Sequence, residues 1–123
     1  MSNRYDIKID QGSTFSIGLT IRDSAGVPIN LTGHSFRGQI RKTVSASKIE
    51  AEFSFDVQDQ TANPGRVTCY LSADDTEAIK VDQSPSAQRI ITKMAYDIES
   101  ETLDGTVVRW LEGIAEISPE ATK

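Results

Sequence analysis

An alternation with a period of two constrains this chain more than any other feature. In TFSIGLTIRD, Phe15, Ile17, Leu19 and Ile21 fall on one side, and Thr14, Ser16, Gly18 and Thr20 on the other. Successive side chains of a strand point to opposite faces, so this is a strand with one face in a core. YDIKID repeats the pattern with Tyr5, Ile7 and Ile9, and EAEFSFDV repeats it with Ala51, Phe53, Phe55 and Val57. DSAG, NLTG, ANPG and LDG lie between such runs and supply the glycines at which a chain reverses.

One segment departs from that period. SADDTEAI opens with Ser72 and puts Asp74 and Asp75 where a first helical turn would lie. Serine caps helix N-termini and carboxylates suit the positive end of the helix dipole, so one short helix is predicted between two strands. KVDQSPSAQR after it reads as an exposed polar loop. The last third reads as two long strands joined at Leu103-Asp104-Gly105-Thr106, where Asp-Gly predicts a primed two-residue turn. In the second arm Val107, Leu111, Ala115 and Ile117 share one parity, and Val108, Trp110 and Ile114 the other. A bulge near Gly113, or a strand covered on both faces, would account for that.

Short strands separated by turns predict an all-β fold, an immunoglobulin-like antiparallel β-sandwich with one short helix between strands. The Cys-Trp-Cys hallmark of antibody domains is missing, which limits the likeness to architecture. With 123 residues the chain can bury a core without a metal or disulfide. A single domain is expected over 1–123, with 1–4 and 119–123 as flexible ends. Cys69 alternates with Val67 and Leu71 in RVTCYLS, the setting of a small buried hydrophobe rather than a reactive thiol.

Composition argues against several functions. A formal net charge of −5 disfavours a phosphate-binding surface, so no nucleic-acid partner is expected. MSNRYDIKID lacks the apolar core of a signal peptide, and no run is long enough for membrane insertion, which predicts synthesis in the cytoplasm. The single histidine, His34, sits in the LTGHSF turn with no second His or Cys to share a metal, and is expected to be solvated. No serine lies in a Gly-x-Ser-x-Gly elbow. Asp56 with Asp59 and Asp74 with Asp75 fit local turn and cap bonding, while Asp97, Glu99 and Glu101 form a solvent-facing row. No Asp-x-Asp-x-Asp-Gly spacing suggests calcium. No enzyme, cofactor or metal is expected. Asn30-Leu31-Thr32 matches a glycosylation acceptor and, with no secretion signal, is read as a local turn.

Candidate interface residues remain. In HSFRGQIRK, Arg37, Gln39 and Arg41 point away from Phe36, Gly38 and Ile40. If this strand neighbours the penultimate one, Arg37 and Arg41 lie beside Asp97, Glu99 and Glu101, either as a solvated cross-strand pairing or as a docking face. Trp110, flanked by Arg109 and Leu111, is an interface anchor or a piece of the second sheet's core.

Three blocks carry a family resemblance: Gln11-Gly12 with Phe15, the run from Leu31-Thr32-Gly33 to Arg41, and Glu112-Gly113 through Pro119-Glu120. Over about Asp10 to Thr122 the chain resembles structural proteins of tailed bacteriophages, in particular the amino-terminal immunoglobulin-like domain of the phage baseplate upper protein family. The resemblance implies a virion part of tail, baseplate, neck or fibre attachment, docking through protein contacts as a symmetric homo-oligomer. Those relatives continue into a linker and fibre-binding region that has no counterpart before Lys123, and the KVDQSPSAQR loop is long and polar. The alternative is a carbohydrate- or cell-surface-binding decoration module, for which Trp110 with Tyr70 or Tyr96 are the available aromatics.

Overall fold

The computed structural model describes residues 3–81 and 87–122. Among these residues nine strands and one helix follow in order: β1 (Asn3–Arg4), β2 (Ile7–Asp10), β3 (Phe15–Thr20), β4 (Ser35–Arg41), β5 (Ala51–Glu52), β6 (Ser54–Val57), β7 (Arg66–Leu71), α1 (Ala73–Glu77), β8 (Thr92–Glu101) and β9 (Val107–Ser118). One sheet runs β1-β9-β8-β4-β5, with β2 also paired to β9, and the other runs β3-β7-β6. Together they form the expected immunoglobulin-like β-sandwich. Ile7, Ile9, Ile40, Ile98 and Ile117 from the larger sheet pack with Cys69 and Leu71 from the smaller, each under 5% exposed. A second cluster, Ile21, Leu31 and Val67, draws in Leu19, Phe36, Phe55 and Trp110.

The sandwich is not wholly antiparallel. β1 and β2 both run parallel to β9, with Asn3 beside Leu111 and Ile9 beside Ile117. A period-two pattern reports which face a residue takes and is silent on the direction of the neighbouring strand. Between β1 and β2 the Asp6 carboxylate takes over from the backbone and accepts from the Ile114 amide at 2.9 Å. Ile7 and Ile9 are buried as their alternation requires, whereas Tyr5 is 53% exposed and lends its carbonyl to the Tyr96 hydroxyl.

EAEFSFDV does not form one strand. β5 pairs with β4 in the larger sheet and β6 pairs with β7 in the smaller, so the chain changes sheets at Phe53. The Phe53 amide still donates to the Gly38 carbonyl at 2.9 Å, and its ring packs against Phe15 and Tyr96.

The hairpin between β8 and β9 has a three-residue loop rather than the expected primed two-residue turn. The Thr102 amide donates to the Thr106 carbonyl at 2.9 Å, and of the loop residues Gly105 alone has positive φ, at 86°. A primed turn would need Asp104 at positive φ too. Instead the Asp104 carboxylate accepts from the Thr102 hydroxyl and the Thr106 amide, and these bonds lower its pKa.

The bulge in β9 is real but lies at Trp110 and not near Gly113. Ile98 faces Leu111 and Glu99 faces Arg109, leaving Trp110 as the extra residue. Parity therefore switches there, and Val108 on one side of the bulge and Leu111 and Ala115 on the other all follow Ser100, Ile98 and Met94 inward. Gly113 answers to another demand. A Cβ at that position would collide with the Tyr5 carbonyl, where the chain crosses from β1 to β2.

Helix α1 forms as read, with Ser72 as its N-cap. The Ser72 hydroxyl accepts from the Asp75 amide, and the Asp75 carboxylate accepts from the Ser72 amide, both at 3.1 Å. Gln11 clasps the helix end: its side-chain amide donates to the Ile79 carbonyl at 2.9 Å, while its carbonyl accepts from the Glu120 amide at 3.0 Å. The Gly12 amide donates to the Thr76 hydroxyl, which donates onward to the Ser13 carbonyl. The chain ends, read as flexible, thus carry partners at Asn3–Arg4 in β1 and at Pro119, whose carbonyl accepts from Arg89. Of the loop KVDQSPSAQR, residues 82–86 lie outside the described residues.

Candidate interaction surface

The outward face of the larger sheet gathers most of the expected interface residues. β4 and β8 are neighbours, with Arg37 opposite Glu99 and Gln39 opposite Asp97. Arg37 bonds Glu99 through Nε at 2.5 Å and Glu101 through a terminal nitrogen at 3.2 Å. Arg109 faces Glu99 in register yet bridges Asp97 at 3.6 Å and Glu112 at 3.9 Å. That choice has an electrostatic reason, since Asp97 and Glu112 stand directly opposite each other and repel. Burial raises the Asp97 carboxyl above its ordinary value, against the opposing pull of Arg109. Gln39 extends the lattice to Glu52 at 3.2 Å.

Arg41 shares a groove with Asp97 and Glu99 but makes no ion pair with a carboxylate of the described residues. Its guanidinium donates to the Ala46 carbonyl at 2.9 Å, the Ser47 carbonyl at 2.7 Å and the Gln39 side chain at 2.8 Å. Its register partner is Ala95, which offers no charge, so Arg41 pins the 42–50 loop instead. The face therefore sets Glu52, Asp97, Glu99, Glu101 and Glu112 against Arg37, Arg109 and a loop-bound Arg41.

Trp110 is half-buried and turned toward the second apolar cluster, with its indole N–H donating to the buried Ser100 hydroxyl at 2.8 Å. The bulge turns it inward, against the off-core parity read from spacing. It still lines a cleft of about 570 Å³ with Leu19, Ile21, Arg22, Val108 and Leu111. An adjoining cleft of about 420 Å³ lies between Asn3, Arg4 and Tyr5 on one sheet and Ile17, Gly18 and Leu19 on the other. Spacing alone could not have shown these clefts, because they sit where the edges of the two sheets face each other.

The remaining residue readings resolve locally. His34 is half-buried, stacked on Phe36 at 6.5 Å, rather than solvated. Cys69 is fully buried, and burial pushes its thiol up to about 12. Asp59 accepts from the Thr61 amide at 3.0 Å and Asn30 from the Thr32 amide at 2.9 Å, as turn residues do. Gln60, which no pattern singled out, accepts from both the Leu31 and the Gly65 amides and ties the 23–34 loop to the 58–65 turn. Tyr70 is 39% exposed on the smaller sheet, whereas Tyr96 is buried and Trp110 faces inward, so the three aromatics share no surface. Among the described residues no three His, Cys, Asp or Glu side chains converge on a common point, and no helix is long and apolar enough to cross a membrane.

No family model matches the chain, and no curated protein does. Among solved structures it is similar to murine CRIg, at 12% identity and a TM-score of 0.39, over 94% of this chain and 92% of that one.

Proposed function

We propose that this chain is a non-enzymatic structural part of a tailed-phage particle, made in the host cytoplasm and built into the tail, neck, baseplate or fibre attachment by protein contacts. The observation that carries the reading is the charge lattice on the larger sheet, where Arg37, Asp97, Glu99 and Arg109 interlock while staying partly exposed. Exposed pairs of this kind contribute little to folding, with a median of about 0–1 kcal/mol. Arranged in a fixed pattern on a rigid sheet, they select a partner and its register. The resemblance of the Gln11-Gly12, Leu31–Arg41 and Glu112–Glu120 blocks to the baseplate upper protein family supplies the phage context. The carbohydrate-binding alternative lacks a shared aromatic surface. The test is light scattering of the purified chain, alone and mixed with disrupted phage tails or with glycans. A salt-sensitive complex with tail components, weakened in Arg37→Glu, is expected. Glycan binding with indifference to every tail component overturns the reading.

A further inference from the structure

The free edge of β3 differs from the other edge strands among the described residues. Gln58 donates to the Arg66 carbonyl at 3.0 Å, so the even residues of β7 bond β6 and its odd residues bond β3. The Ile21 amide, donating to Gly65 at 2.7 Å, confirms the parity from the other strand. The backbone groups of Ser16, Gly18 and Thr20 therefore point away from the sheet, and no described residue meets them. Exposed edges are normally guarded by charge, proline or shortness. β1 carries Arg4, β2 carries Lys8 and Asp10, β5 has two residues including Glu52, and β6 carries Asp56. β3, FSIGLT over six residues, has no charge and no proline.

We infer that β3 pairs with β3 of a second copy, antiparallel about a two-fold axis at Gly18, joining the two smaller sheets into one. This deepens the assembly reading above, and rests on it, by naming the contact between copies. An antiparallel pair of identical strands is self-complementary by symmetry. With the axis at Gly18, each Gly18 exchanges amide and carbonyl bonds with the other, and Ser16 of one copy faces Thr20 of the other. Both side chains are exposed hydroxyls, a pairing that stabilises facing strands.

Charge complementarity fixes the same register. Counting outward from Gly18, Arg22 of one copy comes level with Thr14 of the other, just past the end of β3 and beside the turn that holds Gly12. The Glu120 carboxylate lies against Gly12, in the space a side chain there would fill. Within one copy, Arg22 reaches only the Gly26 carbonyl, at 3.1 Å, and neither Arg22 nor Glu120 has an ion partner among the described residues.

The test is sedimentation of the full chain over a micromolar concentration series, with amide exchange read at each concentration. A dimer is expected, with the Ser16, Gly18 and Thr20 amides slowing as it forms. Gly18→Lys should abolish it without lowering the melting temperature below that of the dilute, monomeric parent, because a Cβ at Gly18 meets nothing within 4 Å in the single copy. Arg22→Glu should weaken the dimer about tenfold, and Glu120→Arg in that background should restore it. A chain monomeric throughout the series, or a dimer indifferent to Gly18→Lys, overturns the inference. A monomer still recruited by tail components overturns the edge pairing alone, whereas a Gly18-dependent dimer that ignores tails overturns the virion reading alone.

Discussion

The two flanks of this sandwich are built differently. On one, the chain itself passes from the larger sheet to the smaller between β5 and β6, with Phe53 as the pivot under Phe15 and Tyr96. On the other, β1 and β3 face each other across clefts lined by Leu19, Leu111 and Trp110, and the chain crosses at Gln11–Thr14, where Gln11 and Gly12 meet α1. A covalent crossover satisfies backbone groups and buries aromatics in one stroke, while an open edge leaves both tasks unfinished. The difference teaches which flank the chain closes by itself and which it leaves with open strand edges and clefts.

Mutations should expose that difference in order of size. Phe53→Ala removes a ring that is 6% exposed and should cost the most, about 3–5 kcal/mol in chemical denaturation. Trp110→Ala, on the open flank, removes a half-buried ring and leaves the Ser100 hydroxyl buried without its donor, for a loss of about 2 kcal/mol. A Trp110 variant as damaging as the Phe53 one would mean the open flank is packed as tightly as the sealed one. Gly113→Ala pushes the Tyr5 carbonyl aside and should cost about 1–2 kcal/mol, felt in the exchange of β1 amides before those of β4.

The smallest effect concerns neither flank and calibrates both. Burial raises Asp97 above its ordinary value of 3.8, so the folded chain holds this proton more tightly than the unfolded one. Stability from this group is then present at low pH and falls as pH rises through its folded value. Asp97→Asn should match the parent at acidic pH and exceed it slightly at neutral pH, as followed by melting temperature. A parent chain that gains on Asp97→Asn with rising pH would show that Arg109 outweighs burial.

Side-chain faces were legible in the sequence wherever a strand stays in one sheet. Ile7, Ile9, Val67, Cys69 and Ile98 are buried as their alternation requires, and Ser72 caps α1 as its neighbours announce. The Arg37 to Glu99 pairing followed from strand order and opposite charge. The failures share one cause, since period two describes a strand's faces and not its edges. It could not show that β1 and β2 run parallel to β9, that EAEFSFDV divides at Phe53, or that the bulge falls at Trp110. The glycine at 113 misled for the same reason, as the demand on it comes from Tyr5, distant in sequence. Arg41 lies beside Asp97 and Glu99 as read, but its hydrogen bonds go mainly to loop carbonyls, which carry no signature in residue type.

The parallel pairing of β2 with β9 bears on the order of events during folding. The Asp6 carboxylate and the Ile114 amide are 108 residues apart, so this ladder closes a very long loop. The β8–β9 hairpin, by contrast, needs only its own turn. Contacts between distant segments form late, because loop entropy must be lost before they are rewarded. On a ribosome Ile7 and Ile9 emerge long before Ala115 and Ile117, and have neither to lie against until those residues follow. Until then the nascent chain holds two sticky isoleucines in waiting, exposed to other surfaces until β9 covers them.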